Sequence, residues 1–268
     1  MKVDFFMKVS GSGNDFIIVD NRDGLKRPSP SYIKKICKEK TGIGADGLIL
    51  LEKCEKGCDF RMVYFNNDGK EAQMCGNGGR SIVLFAYLMK IVNKKHVIFC
   101  SKKGKHTAQI KQGNVVKLQL SPPHSLRENL KVKTEYGTFT GSFINTGVPH
   151  FVIEVDDLES VDVKNVGRNI RFSKVFGKEG TNVNFVKMVK KGIIKIRTYE
   201  RGVEDETLSC GTGSVASAVI ISKKYCIPSP LKVIARSGEI LKVYFDENHS
   251  EVFLEGKVTP VYFGYNLL

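Results

Sequence analysis

Apolar residues occur along the chain in short runs that alternate with polar ones, a pattern typical of β-strands. Glycine-containing turns separate several runs, as at Gln112-Gly113-Asn114, Lys190-Lys191-Gly192 and Ser237-Gly238-Glu239, and they predict hairpins in a largely antiparallel sheet. A short helix is predicted from Ser29-Pro30 to Gly42. The predicted strands are 17–19, 48–51, 60–65, 97–100, 115–120, 151–155, 183–189, 193–199, 231–235, 240–245 and 252–254.

Two further helices are predicted at 81–89 and 215–221, and neither segment has a clear polar face. A helix that is apolar all round is buried, so each is expected to lie inside a layer of strands. Both follow a Cys-Gly-polar-Gly motif, Cys75-Gly76-Asn77-Gly78 and Cys210-Gly211-Thr212-Gly213. The motifs are 210 − 75 = 135 residues apart in a chain of 268, which indicates an internal duplication.

The duplication predicts an α/β fold of the α+β type with two pseudo-symmetric domains. Each is expected to be a mostly antiparallel, β-barrel-like sheet around one central helix. The first comprises residues 1–119 with a returning C-terminal strand at 257–268, and the second comprises residues 120–256. Ser121-Pro122-Pro123 is the best candidate for the boundary.

The chain has 42 basic and 28 acidic residues, which gives 42 − 28 = +14. Its lysines are scattered in pairs such as Lys34-Lys35, which favours a solvated surface over the alternative, a nucleic-acid-binding face. The longest apolar run, 82–89, is far shorter than the roughly 20 residues of a membrane-spanning helix. With no signal peptide recognised, we expect a cytoplasmic protein without a membrane or nucleic-acid partner.

Seven cysteines are an odd number, and reduced thiols are expected in the cytoplasm rather than a disulfide scaffold. Cys54 and Cys58 are expected to be reduced residues in a turn or at a strand edge. A metal site there is the alternative, but no second pair with suitable spacing accompanies them. We therefore expect no metal, and the chain has neither a phosphate-binding nor a dinucleotide-binding motif.

A cysteine at the start of a buried helix lies beside unpaired backbone N–H groups and the positive end of the helix dipole, which stabilise its thiolate. The adjacent glycines let those N–H groups approach a carboxylate. Two such thiols can invert a carbon centre, because one removes a proton and the other returns one to the opposite face. A thiol hydrolase that uses one cysteine with His150 is the alternative, and it leaves the second motif without a role.

Further motifs accompany the two cysteines in a fixed order. They are Gly11-Ser12-Gly13-Asn14-Asp15-Phe16, Gly42-Ile43-Gly44-Ala45-Asp46-Gly47, Phe65-Asn66-Asn67-Asp68-Gly69, Met74-Cys75-Gly76-Asn77-Gly78-Gly79-Arg80, Gly147-Val148-Pro149-His150, Asn182-Val183-Asn184-Phe185, and Tyr199-Glu200-Arg201-Gly202 leading to Ser209-Cys210-Gly211-Thr212-Gly213. With this order and spacing, essentially the whole chain resembles the diaminopimelate epimerase family. The resemblance implies cofactor-independent interconversion of LL- and meso-diaminopimelate, a step toward lysine and peptidoglycan precursors, with the active site in the cleft between two domains.

The resemblance also implies roles for individual residues. Cys75 and Cys210 correspond to the two acid–base thiols, with His150 taking the proton from Cys75 and Glu200 from Cys210. The implied substrate-binding residues are Asn14, Asn66, Gly76, Asn77, Asn182, Arg201, Gly211 and Thr212. An arginine suits a distal carboxylate because its guanidinium binds carboxylates bidentately. A homodimer is plausible from related enzymes.

Three positions depart from the family pattern. Val148 stands where many members have Asn, Gly47 where some have Gln, and Ser12 where Leu is common. A proline or hydroxyproline racemase of the same superfamily is the close alternative. The asparagine-rich motifs and Glu200-Arg201 favour a substrate with a second charged end.

Overall fold

A computed structural model describes residues 4–55, 57–72 and 74–266. The outermost residues of the predicted first domain, 1–3 and 267–268, lie outside the described residues. Backbone contacts divide the chain into two compact units. The first contains the residues up to Gln119 and the segment from Gly256 onward, and the second is Leu120–Glu255.

The first unit contains two helices and nine strands, the last of which, β17, begins in the second unit. The helices are α1 (Pro30–Cys37) and α2 (Gly76–Leu88). The strands are β1 (Asp4–Gly11), β2 (Asn14–Asp20), β3 (Gly47–Glu52), β4 (Phe60–Asn66), β5 (Glu71–Ala72), β6 (His96–Ser101), β7 (Gly104–Lys111), β8 (Val115–Leu120) and β17 (Val252–Asn266).

Eight of these strands form a closed barrel. Backbone pairing runs from β1 through β2, β3, β4, β6, β7 and β8 to β17, which pairs again with β1. Two of the pairs are parallel, β2 with β3 and β4 with β6. The short strand β5 pairs with β4 outside this ring. The barrel is therefore mostly antiparallel, and β17 supplies its closing strand.

The second unit repeats this order of elements. Its helices are α3 (Val163–Arg171) and α4 (Gly211–Tyr225), with a 3₁₀ turn at Lys174–Phe176. Its strands are β9 (His124–Thr134), β10 (Gly137–Asn145), β11 (Pro149–Glu154), β12 (Asn182–Lys190), β13 (Ile193–Glu200), β14 (Asp205–Thr207), β15 (Leu231–Ile234), β16 (Ile240–Phe245) and the first residues of β17. Pairing runs from β9 through β10, β11, β12, β13, β15 and β16 to β17.

The repeat extends to strand direction and to the central helices. The parallel pairs β11–β12 and β13–β15 correspond to β2–β3 and β4–β6. Helices α2 and α4 begin 211 − 76 = 135 residues apart. Both are buried over most of their length, from Asn77 to Ala86 and from Gly213 to Ser222. The predicted fold class, mostly antiparallel barrel-like sheets around central helices in a duplicated chain, is confirmed.

The three predicted hairpins are also present, as the antiparallel pairs β7–β8, β12–β13 and β15–β16.

Several element boundaries differ from the prediction. Helix α1 ends at Cys37, because Lys38 adopts extended backbone angles. Helix α3 was not predicted, although Asp162 caps its first turn by accepting from Asn165 N. Strands β9 and β10 were missed as well, since most residues of β9 are exposed and give no apolar alternation.

The expectation that Cys54 and Cys58 are reduced is wrong, because the structure joins them in a disulfide. The two residues lie in the loop between β3 and β4, and their Cα atoms are 5.8 Å apart, within the range that a disulfide spans. Cys37, Cys100 and Cys226 carry free thiols. Two cysteines four residues apart can be joined where the chain turns, and this local pairing does not depend on a disulfide scaffold elsewhere.

Within the described part of the chain, no helix is both long enough and apolar enough to span a membrane.

Candidate active site

Cys75 is the N-cap residue of α2 and has extended backbone angles. Its sulfur accepts a hydrogen bond from Gly78 N at 3.5 Å, and its side chain is half-buried. Gly76 and Asn77 supply the first two residues of the helix, whose leading N–H groups have no partner within the helix. The structure therefore places the Cys75 sulfur at the positive end of a buried helix, as the motif predicted.

Two predicted substrate-binding residues of the first unit are in direct contact. Asn77 Nδ2 donates to Asn14 Oδ1 at 2.7 Å, and Asn14 Nδ2 donates to Asp46 Oδ2 at 2.9 Å. Asn77 Oδ1 accepts from Arg80 Nη2 at 2.7 Å, and the same nitrogen donates to Ser12 Oγ at 2.9 Å. The buried guanidinium of Arg80 thus ties the first turn of α2 to the loop that carries Asn14.

Cys210 occupies the corresponding position in the second unit, as the N-cap residue of α4. Its side chain is buried, and its sulfur lies 3.5 Å from Thr212 Oγ1. Thr212 is held in turn by its backbone, since its carbonyl accepts from Thr146 Oγ1 at 3.0 Å. Both cysteines of the duplicated motif therefore cap a buried helix.

His150 lies beside the second motif. Its Nε2 is 2.9 Å from Thr212 Oγ1 and its Nδ1 is 3.0 Å from Asn184 Nδ2. The imidazole is fully buried, and this burial, followed by the positive charge of Arg201, lowers the pKa of His150 to about 3. His150 is consequently neutral at physiological pH. The assignment of His150 to Cys75 stays a prediction, because the contacts described here link it to the helix that Cys210 begins.

The pKa of His150 predicts an acid-sensitive contribution to stability. The histidine binds a proton near pH 6.5 when unfolded but only near pH 3 when folded, so its contribution is present above pH 6.5 and is lost as the pH falls toward 3. Between pH 7 and pH 5 this group alone should lower the free energy of unfolding by about 2 kcal/mol. Urea unfolding at both pH values should show that the His150→Gln variant lacks this loss, whereas the exposed-site variant His124→Gln retains it. If the free energy of unfolding depended on pH equally in His150→Gln and the wild type, His150 would not be the group responsible for this loss of stability.

Glu200 and Arg201 follow each other at the end of β13. Glu200 Oε2 accepts from Thr207 Oγ1 at 3.0 Å, and the carboxylate is half-buried. Arg201 Nη1 donates to Glu179 Oε2 at 3.1 Å, and Glu179 itself is almost fully exposed. An exposed ion pair of this kind is weak, so the guanidinium can exchange Glu179 for another carboxylate.

Asn182 and Asn66 are placed differently from the other predicted asparagines. Asn182 is buried, and its side-chain amide donates to Pro149 O at 2.7 Å and accepts from Arg201 N at 2.8 Å. These bonds position the backbone on either side of the site. Asn66 is exposed at the end of β4, where its backbone forms a turn with Gly69 and Lys70.

The structure brings together side chains that the sequence analysis did not select. Asn184, Asp46 and Arg80 each bind a predicted site residue directly. For Asn184 a signal was available, because residues i and i+2 of a strand point to the same face and Asn184 follows Asn182 by two. Arg80 and Asp46 both stand inside motifs quoted for the family resemblance.

Among the described residues, three cysteines of the first unit could together hold a metal ion. The sulfur atoms of Cys54, Cys58 and Cys100 are all within 4.8 Å of one another, and Cys54 Sγ is 4.0 Å from Cys100 Sγ. Thiolates are the metal-binding form of cysteine, and the disulfide between Cys54 and Cys58 removes two of the three.

The chain is similar to known proteins over nearly its whole length. The family model described as diaminopimelate epimerase matches residues 6–125 and 142–261. The chain belongs to the diaminopimelate epimerase family. A diaminopimelate epimerase of Hydrogenobaculum sp. is 46% identical over 272 residues, covering 96% of each chain. One from Aquifex aeolicus is 46% identical and covers 97% of this chain and 96% of that one. The family resemblance inferred from the motifs is confirmed.

Solved structures outside the diaminopimelate epimerase family share its fold. A phenazine biosynthesis protein of the PhzF family from Bacillus anthracis covers 100% of both chains with a TM-score of 0.76 and 14% sequence identity. A probable proline racemase from Agrobacterium radiobacter K84 covers 100% of this chain and 93% of that chain, with a TM-score of 0.75 and 14% identity. At such low identity these likenesses show the fold alone.

Proposed function

We propose that this member of the family interconverts LL- and meso-diaminopimelate without a cofactor, by removing and returning the proton on one α-carbon. The observation that carries the proposal is the pair of cysteines that cap the two duplicated, buried helices. A hydrolase that uses a single cysteine needs only one of them. Family membership adds support, because the named relatives are similar over nearly the full chain.

In the proposed reaction one of the thiols, Cys75 or Cys210, is a thiolate and removes the α-proton, while the other delivers a proton to the opposite face. The helix dipole favours the thiolate form at either N-cap. The backbone N–H groups of Gly76, Asn77, Gly211 and Thr212 are proposed to hold the α-carboxylate, where they stabilise the charge that develops on the carbon acid. Glu200, with His150, is proposed to assist proton movement at the thiols.

The distal end of the substrate carries an amino group and a carboxylate, and it needs charged and amide partners. Arg201 is proposed to bind the distal carboxylate, because its present partner Glu179 is exposed and replaceable. Asn14 and Asn66 are proposed to contact polar groups of the substrate, since an amide can accept from an ammonium and donate to a carboxylate. Asn182 is proposed to act through the backbone that it holds at Arg201.

Replacement of Arg201 by lysine is expected to raise KM for diaminopimelate at least about tenfold, because a point charge cannot replace two parallel hydrogen bonds to a carboxylate. Steady-state kinetics measure the effect. Glu179→Gln is the control, as it removes the ion pair but keeps the guanidinium, and its KM should stay close to that of the wild type. An unchanged KM in Arg201→Lys would remove Arg201 from the substrate-binding set.

The proposed activity is tested by incubating the reduced protein with LL-diaminopimelate in D₂O without added cofactor. Proton NMR should show loss of the α-proton signal together with the appearance of the meso isomer. Proline and 4-hydroxyproline serve as alternative substrates in parallel samples. Exchange with proline but not with diaminopimelate would assign the chain to racemase chemistry instead.

The activity places the protein in the synthesis of lysine and of peptidoglycan precursors. We further propose a cytoplasmic location, because thiols that shuttle protons must remain reduced. Its proposed binding partner is its small-molecule substrate, diaminopimelate.

We also propose a homodimer that uses an exposed aromatic patch on β17 and β1. In this patch Phe263 is 71% and Tyr265 67% exposed, and both rings contact Phe5. Contiguous exposed apolar surface of this kind marks interaction sites. Sedimentation analysis should give a dimer for the wild type and a monomer for Phe263→Asp.

A further inference from the structure

Four side chains of the second unit form a continuous line of hydrogen bonds. Asn184 Nδ2 lies 3.0 Å from His150 Nδ1, His150 Nε2 lies 2.9 Å from Thr212 Oγ1, and Thr212 Oγ1 lies 3.5 Å from Cys210 Sγ. Asn184 and His150 are both fully buried. The line thus starts in the core and ends at the sulfur of Cys210, the N-cap residue of α4.

The orientation of the Asn184 amide is determined by its neighbours. Its Nδ2 is directed at two groups, His150 Nδ1 and the carbonyl oxygen of Phe151 at 3.5 Å. A carbonyl oxygen only accepts hydrogen bonds, so the amide nitrogen must be on this side. Its Oδ1 accepts from Thr198 Oγ1 at 2.9 Å on the other side. The group that faces the imidazole is therefore a donor.

A donor at Nδ1 selects one form of the imidazole. His150 Nδ1 must offer a lone pair to Asn184, so in the neutral ring the proton resides on Nε2. The imidazolium form is disfavoured chiefly because the ring is fully buried, which lowers the pKa of His150. The nearby charge of Arg201 opposes the cation as well. Hence the Nε2–H of His150 donates to Thr212 Oγ1.

The hydroxyl of Thr212 then has a defined direction when Cys210 is ionised. Its oxygen accepts from His150, so its own proton is available for Cys210 Sγ, and a thiolate can only accept. With the other tautomer, the bare Nε2 would take the hydroxyl proton and leave the thiolate without this donor. Hydrogen bonds to charged groups are the stronger ones, so the direction affects how readily Cys210 ionises.

We propose that Asn184 is a positioning residue that fixes the Nε2–H tautomer of His150 and thereby directs the Thr212 hydroxyl as a hydrogen-bond donor to Cys210. The effect of this hydrogen bond on catalysis rests on the proposed function, in which Cys210 is one of the two acid–base thiols. It assigns His150 a role at Cys210 through Thr212, in place of the proton-accepting role that the family resemblance implies at Cys75. It also gives a purpose to the buried amide of Asn184.

The tautomer is tested by ¹⁵N NMR on protein labelled at its five histidines, with the His150 signals identified by their loss in His150→Gln. The wild type should show a protonated Nε2 and an unprotonated Nδ1 for His150 from pH 5 to pH 9. In Asn184→Asp the carboxylate accepts from the ring, and Nδ1 should become protonated. A protonated Nδ1 in the wild type would overturn the proposal without any need for a variant.

The last hydrogen bond is tested by the rate of Cys210 alkylation by iodoacetamide as a function of pH, with the modified peptide quantified by mass spectrometry. Thr212→Val keeps the shape of the side chain but removes the hydroxyl, and it should raise the thiol pKa of Cys210 by about one unit. Thr212→Ser restores the donor and should return the pKa to the wild-type value. An unchanged pKa in Thr212→Val would overturn the proposal.

Neither measurement requires turnover, so the inference and the proposed function can fail separately. If the D₂O experiment shows no epimerisation while the tautomer and the thiol pKa behave as expected, only the activity is wrong. Epimerisation by a protein with the opposite His150 tautomer would retain the activity and eliminate the positioning role of Asn184.

Discussion

Replacement of either Cys75 or Cys210 by alanine is expected to reduce epimerisation of diaminopimelate by about 10³-fold or more. Each thiol is proposed to carry a proton on one face of the α-carbon, and general acid–base groups contribute 10²–10⁴-fold in enzymes. Alanine keeps the N-cap backbone but has no ionisable group. The remaining thiol could at most remove and return a proton on its own face. Each variant should therefore exchange the α-proton of no more than one isomer and should invert neither.

Coupled-enzyme assays in both directions measure the loss, and circular dichroism establishes that the variants are folded. Cys226→Ser is the matched control, because Cys226 is an exposed free thiol at the C-terminal end of α4, the opposite end of the helix from Cys210. Its activity should equal that of the wild type. Substantial inversion by either alanine variant would eliminate the two-thiol mechanism.

A methyl group on Gly213 is expected to be the most damaging single-carbon change in either motif. A Cβ at this position would overlap Asn184 Oδ1 and would lie 3.3 Å from the Cys210 sulfur. Asn184 cannot move aside cheaply, since it is fully buried and bonded to His150 and Thr198. Overpacking of this kind costs about 1–3 kcal/mol. Gly213→Ala should lower the free energy of unfolding by that amount and should also reduce kcat.

The duplicated motif provides its own control at Gly78, which is 213 − 78 = 135 residues earlier. A Cβ there meets the ends of two flexible side chains, Ile49 Cδ1 at 3.1 Å and Met62 Cε at 3.2 Å. These can shift, and alanine is favoured over glycine in a helix by about 1 kcal/mol. Denaturant unfolding of Gly78→Ala should give a stability within about 1 kcal/mol of the wild type. A larger loss at Gly78 than at Gly213 would refute this interpretation of the contacts.

The sequence predicted the elements whose patterns are local and regular. Central helices without a polar face, hairpins with glycine turns and the 135-residue repeat are all readable from residue order, and the structure contains them. Strand β9 could not be found this way, because its residues are mostly exposed and its position depends on pairing with β10. Helix α3 did carry a readable signal that the prediction overlooked, since its buried Val163, Val166 and Ile170 follow the i, i+3, i+7 spacing of an amphipathic helix.

In the candidate site, too, local features could be predicted and contacts between distant segments could not. The motifs located Cys75 and Cys210 at the two helix starts, since N-cap chemistry is a local property. They could not show that Asn184 faces His150, because that contact depends on the parallel register of β11 and β12. Nor could they show the disulfide of Cys54 with Cys58, which required the conformation of the loop. Contacts between side chains of neighbouring strands can be predicted only when the register of those strands is known.

The closing strand β17 has a consequence for the order in which the chain can fold during synthesis. The barrel of the first unit needs residues from Gly256 onward, which pair with β1 and β8 and are translated after the whole of the second unit. Until then β1 and β8 each present an unpaired edge, and nascent chains usually complete their N-terminal domain first. The second unit is contiguous, and its own segment is translated before the first unit can close. A ribosome-stalled chain that ends just before Gly256 should therefore resist protease in the second unit and be cleaved in the first.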